Sequence, residues 1–201
     1  MHTEKVDVQD SLGATALLGA GVGEQVSVTG RYDVKCLDAD GNLKWEDSIE
    51  NLVVNVGKAN LLSVYLGAGT QTTTWYMGLV SKIGSFVPVY SASDTLASHG
   101  DGVTTGWAES TAYSGSNRLA VTFGTATASG GGAGTAGTGT ITNPSAVSFT
   151  INATTTIAGA LLCQTQTRAT TTGILYSAGS FATARDVIAN DVLLVTYTAQ
   201  S

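Results

Sequence analysis

Val26, Val28, Tyr32, Val34 and Cys36 alternate with Ser27, Thr29, Arg31, Asp33 and Lys35, and a period of two is the mark of a strand with one face buried and one face wet. The alternation returns in short runs at Trp75, Met77 and Leu79, at Leu119, Val121 and Phe123, at Val147, Phe149, Ile151 and Ile157, and at Leu193, Val195 and Tyr197. Gly, Asn and Asp punctuate these runs, and their Thr, Val, Ile and Tyr content suits a pleated, half-buried surface. Many short strands of this kind predict an all-β fold, an antiparallel β-sandwich or jelly-roll-like domain.

One helix breaks the pattern. Leu61, Leu62, Val64, Tyr65 and Leu66 crowd one side of a segment that follows Asn55, and Gly67 is placed to end it. It is expected to cap one end of the sandwich. A shorter helical turn is expected after Ser93-Asp94, where a capping residue precedes Thr-Leu-Ala-Ser. Residues 1–24 lack sustained periodicity and read as an extended N-terminal arm, leaving 25–201 as the sandwich domain. The stretch 129–140, SGGGAGTAGTGT, holds six glycines and reads as a mobile Gly-rich loop between strands, or as an arm ordered by a neighbour.

The stretch Asp38-Ala-Asp40-Gly41-Asn42 raises the question of calcium. An EF-hand loop needs a third oxygen ligand two residues beyond Asp40 and a bidentate Glu at its twelfth position, yet Gly41 follows Asp40 directly and Ile49 falls at position twelve. Asp-Gly between two alternating runs is instead a strong hairpin signal, because both residues tolerate the positive φ of a type I′ turn. The reading is a strand to Leu37, a turn over Asp38 to Asn42, and a return strand through Leu43 and Trp45.

Other chemistry fares no better. Gly132-Ala-Gly134-Thr-Ala-Gly137 matches a dinucleotide fingerprint in letters, but Thr-Gly-Thr-Ile-Thr-Asn-Pro follows it, with no helix to receive a pyrophosphate. Neither a phosphate-binding G-x-x-x-x-G-K-[ST] motif nor a G-x-S-x-G elbow occurs. His99 beside Asp101 could form a dyad, although a triad needs a nucleophile that the sequence does not identify. Glu46, Asp47 and Glu50 could supply paired carboxylates for glycoside cleavage, or more simply a charged, solvated strand edge. Trp45, Trp75 and Trp107 read as core or subunit-interface anchors before sugar platforms. Asn152-Ala-Thr154 is a formal glycosylation acceptor within an alternating strand.

Composition narrows the partners. Charged residues are 12% of the 201, about half the usual share, which suggests surfaces covered by something other than water. Fourteen of the 24 charges lie in the first 51 residues, whereas 129–201 hold only Arg168, Arg185, Asp186 and Asp191. The net charge is −6 and no Lys/Arg cluster exists, so attraction to a phosphate backbone has little to work with. The acidic start MHTEKVDVQD has the wrong sign for a signal peptide, and no window has the length of apolar chain needed to span a membrane. The expectation is therefore a soluble protein made in a cytoplasm, with neither a nucleic-acid nor a membrane partner. Cys36 and Cys163 read as buried, reduced thiols, with a single bridge between them as the alternative.

The ordered set DADGNLKWEDSIENLVVNVGKANLL, WYMGLV, DTLASHGDGVTTGWAESTAYSGSNRLAVTFG, VSFTINATTTIAGALL and GILYSAGSFATARDVIANDVLLVTYTA resembles a group of tailed-bacteriophage virion proteins. The resemblance covers about residues 31–199, and departs at Asp101 to Thr105 and in the Gly-rich stretch 129–140. It implies a structural role, that of a capsid decoration (cement) protein bound over the major capsid protein lattice on the outer surface of the virion. Such proteins often form trimers, so a homotrimer made in the host cytoplasm is the expected state, with no enzyme activity and no cofactor. Candidate interface side chains are Leu12, Leu17, Leu18 and Val22 of the arm, and Trp107. A phage tail, baseplate or fibre component with receptor or carbohydrate binding is the alternative, and a glycan-cleaving virion enzyme a third reading.

Overall fold

A computed structural model describes residues 27–84, 88–98, 107–132 and 135–201. In chain order the strands are β1 (Thr29–Leu37), β2 (Leu43–Glu50), β3 (Leu52–Val53), β4 (Trp75–Ser81), β5 (Ala108–Glu109), β6 (Leu119–Val121), β7 (Thr127–Gly132), β8 (Thr135–Thr142), β9 (Val147–Thr150), β10 (Thr155–Cys163), β11 (Leu175–Val187) and β12 (Val192–Gln200). The helix α1 (Asn55–Leu66) lies between β3 and β4, and a 3₁₀ turn occupies Leu96–Ser98. All strand pairs are antiparallel. They form two sheets, β2-β1-β12-β8-β7 with β9 also on β12, and β3-β11-β10-β4-β5 with β6 also on β4. The chain is thus an antiparallel β-sandwich.

Alternation explains the first sheet. Along β1 the inward residues Gly30, Tyr32, Val34 and Cys36 are buried, and along β12 so are Leu193, Val195, Tyr197 and Ala199. The register sets Tyr32 opposite Tyr197 and Val34 opposite Val195, so each cross-strand pair contributes two side chains to the core. Tyr32 and Tyr197 stack with ring centroids 4.6 Å apart. The Tyr32 hydroxyl shares a 2.7 Å hydrogen bond with Ser177 Oγ, while Asn51 Nδ2 donates to the Tyr197 hydroxyl at 2.9 Å. Both phenols thereby enter the core with their polar ends satisfied.

The second sheet follows a different rule. Ile157 to Cys163 in β10 are buried without a break, because both faces of this sheet are covered. One face meets the first sheet through Ile157, Ala160 and Leu162. The other carries a second apolar cluster in which Leu161, Cys163, Leu175 and Ala178 pack with Val54, Val80, Leu96 and Trp107. The chain from Pro88 to Ser98, turned by the 3₁₀ element, supplies part of that outer cover. Within this turn Thr95 Oγ1 accepts from the Ala97 N–H at 3.1 Å, as a helix-capping hydroxyl does.

The hairpin at Asp38 forms where the sequence places it, with a different turn. Only Gly41 has positive φ, +85°, among its residues, so the two-residue type I′ geometry is replaced by a wider loop. The Asp38 carboxylate accepts from the N–H groups of Asp40 at 2.9 Å and Asn42 at 2.8 Å. These donors hold the carboxyl below the usual carboxylate range, with the Asn42 backbone the largest cause. Cys36 and Cys163 are both free and buried, in separate apolar clusters. Asn152 to Thr154 lie in the exposed turn between β9 and β10 and not within a strand.

Alkali is expected to unfold the protein. Burial raises the hydroxyls of Tyr32, Tyr90, Tyr113 and Tyr197 well above the ordinary value of 10.0 and pushes the Cys36 thiol up from 9.0 to about 11. The folded chain therefore keeps protons that the unfolded chain has released. Stability from these groups is complete below about pH 9, falls first through Cys36 and then, above pH 10, through the tyrosines. A urea midpoint clearly lower at pH 11 than at pH 8 is the predicted result. Equal midpoints would contradict this burial.

Candidate functional site

The described surface holds two unusual regions. The first is the β7–β8 hairpin, where the sequence suggested a mobile loop. Thr127 pairs with Thr140 and Ser129 with Thr138, and Gly130 and Gly131 take φ of +70° and +81°, a backbone that other residues adopt only at a cost. Gly is thus what lets the ribbon form, which corrects the loop reading. Strand β7 is an outer edge of the first sheet, with Thr127 to Gly131 exposed. No charged residue occurs between Arg118 and Arg168, so β6 to β10 are all free of charge.

The two edges of that sheet contrast. At the other edge β2 carries Lys44, Glu46, Asp47 and Glu50. Glu46 lies 3.5 Å from Lys35, Asp47 pairs with Arg185, and Glu50 faces Arg31 in register. Successive residues on this strand point to opposite faces, so Glu46 and Asp47 do not face each other across a cleft. Charge on an edge opposes pairing with another chain. β2 has that protection and β7 does not.

The second region is α1. Its backbone lies against the second sheet at Gly57, where a Cβ would come within 2.6 Å of the Tyr176 carbonyl oxygen, and Gly57 is the helix's one buried residue. The apolar residues that were expected to cap the sandwich mostly face outward instead: Leu62 is 53% exposed, Tyr65 84% and Leu66 76%. Gly67 ends the helix in extended backbone, its N–H bonded to the Ser63 carbonyl.

A buried polar network lies on the outer side of the second sheet. Arg118 Nε and Nη2 each donate to the Glu109 carboxylate at 2.9 Å, and Nη1 donates to the Thr165 carbonyl at 2.9 Å and approaches Cys163 Sγ at 3.2 Å. Glu109 also accepts from the Ala169 N–H at 2.8 Å. The side chains of both ion-pair members are at most 1% exposed. Burial raises the Cys163 thiol, which leaves it protonated and unreactive. The network ties β5, the start of β6 and the loop after β10 together; its geometry is that of a structural clamp.

Trp107 requires a correction. It is 0% exposed and sits in the second apolar cluster, so its indole anchors the fold and presents no surface to another chain. Trp45 meets Phe181 edge-on at 5.9 Å and Trp75 meets Tyr176 at 5.4 Å, both as part of core packing. His99, Asp101, Leu12, Leu17, Leu18 and Val22 lie outside the described residues. Among the described residues no three His, Cys, Asp or Glu side chains are grouped as metal ligands would be, and no helix is long and apolar enough to cross a membrane. The structure thus defines an antiparallel β-sandwich with one charged and one uncharged sheet edge. Comparison of the chain with family models, with curated proteins and with solved structures finds no match.

Proposed function

We propose that this chain is a structural protein of a tailed-bacteriophage virion, decorating the outer capsid surface as a homotrimer bound to the major capsid protein lattice. The observation that carries the reading is the exposed β7 edge, whose strand and neighbours lack any charge. An open, uncharged edge invites pairing with another chain and is normally blunted or covered. An edge of this kind on one copy, meeting a different surface on the next, makes a head-to-tail contact that can close a ring. The sandwich then serves as a rigid block, and the resemblance to virion proteins supplies the lattice. Each contact can be weak, because copies held together by a lattice gain from high effective concentration.

Charging that edge should separate assembly from folding. Thr127→Lys with Ser129→Lys adds two cations at exposed positions. The folded monomer is expected to survive, while its self-association and saturation of capsids weaken by at least about tenfold, on the order of 1.4 kcal/mol. Unchanged occupancy on particles would remove the edge from the interface.

A further inference from the structure

The outward apolar face of α1 adjoins two grooves. One, of about 260 Å³, is floored by Trp75, Phe123, Tyr176 and Tyr197 and flanked by Leu61 and Tyr65. The other, of about 150 Å³, is lined by Val28, Val53, Leu61, Leu62 and Tyr176, with Lys58 at its side. Leu61 and Tyr176 border both, so the helix and its flanks make one continuous apolar saddle. Monomeric proteins rarely leave such a surface bare.

The described chain begins at this surface. Ser27 itself lines the smaller groove, and 26 residues precede it. Among them Ser11 to Val22, SLGATALLGAGV, carries no charge and holds Leu12, Leu17, Leu18 and Val22. Val22 lies five positions upstream of Ser27, a reach of up to about 17 Å extended, which exceeds the roughly 10–12 Å diameter of a helix. Glu24 lies three residues upstream of Ser27, and a tether of that length, about 10 Å, is long enough to let a carboxylate reach the Lys58 side of the groove. An uncharged segment matches a largely apolar saddle in chemistry, and Glu24 has the sign that Lys58, the one cation lining the smaller groove, would pair with.

We propose that residues 11–22 of the same chain lie across α1, with the leucines and Val22 filling the two grooves and covering Tyr65 and Leu66. The tether favours the chain's own segment over a second copy, since a short linker holds it at an effective concentration in the millimolar range. The proposal concerns the isolated subunit and does not depend on the virion reading. It gives the arm's apolar residues a place on the fold that carries them, instead of on a neighbour.

The test uses the full chain. Leu18→Cys combined with Tyr65→Cys, and Leu18→Cys combined with Leu62→Cys, are oxidised in an equimolar mixture of ¹⁴N and ¹⁵N protein; the native thiols are buried and do not compete. An intrachain disulfide from at least one pair, seen by mass under non-reducing conditions, is the expected result. Interchain bridges of mixed isotope would assign the saddle to a second copy's arm and overturn the proposal. No bridge from either pair would overturn it as well. In parallel, Leu17→Asp with Leu18→Asp should speed amide exchange along α1 by roughly tenfold or more while near-UV circular dichroism of the sandwich is retained. Unaltered exchange in α1 would contradict the docking.

Discussion

Arg118→Met is expected to cost about 3–5 kcal/mol, the usual penalty for removing one partner of a buried ion pair. The cost arises from what stays behind: Glu109 would keep a carboxylate at most 1% exposed with the two bonds from Arg118 gone. Thr165 would also lose a donor to its carbonyl. For a domain of this length the melting temperature should fall by on the order of 10 °C. The partner experiment separates the pair from its packing. Arg118→Met with Glu109→Gln removes both charges, and a well-packed neutral replacement of a buried pair is often close to neutral in stability. The double variant should therefore be more stable than the single one. If the single variant melts within 2 °C or so of the parent, the clamp contributes little and the network is misjudged.

The second large effect is expected at Gly159, in the middle of the strand buried on both faces. A Cβ there would lie 2.0 Å from the Gly179 carbonyl oxygen and 3.0 Å from Ser180 Cα. These are backbone atoms of the paired strand, so no side chain can swing aside, and relief requires β10 and β11 to separate. The strand already shifts register between Ile157 and Gly159, which brings the two backbones together at this point. Gly159→Ala should cost at least the upper end of the ~1–3 kcal/mol usual for overpacking. Gly124→Ala is the control, because its Cβ would meet nothing closer than 3.4 Å. Urea midpoints that fall for the first and hold for the second are the predicted pattern; equal midpoints would mean that the strand pair yields easily.

Both sites show where the sequence was readable and where it was not. The first sheet has one face buried, and its period of two marks β1, β9 and β12 directly. β11 has no such mark: Leu-Tyr-Ser-Ala-Gly-Ser is buried almost throughout, and small residues between two covered faces carry no alternation. In β7 and β8 the glycine count argued for a loop, although glycine also permits the positive φ values that this ribbon uses. For α1 the extent was legible and the orientation was not. Leu61, Leu62, Val64, Tyr65 and Leu66 spread widely around a helix, so no single stripe says which side is inward. The Glu109–Arg118 contact spans a loop and follows from no local pattern. One signal did point to it: these are the only charges between Asp101 and Arg168, and isolated charges in an apolar stretch tend to pair if they are buried.

The central claim, that the chain is a capsid decoration protein, is tested most directly by counting its copies in purified virions by quantitative mass spectrometry, with its solution mass measured alongside. Hundreds of copies per particle and a trimeric mass are the expected result. A handful to a few dozen copies would place it in the tail, and its absence from virions would contradict a structural role in the particle altogether.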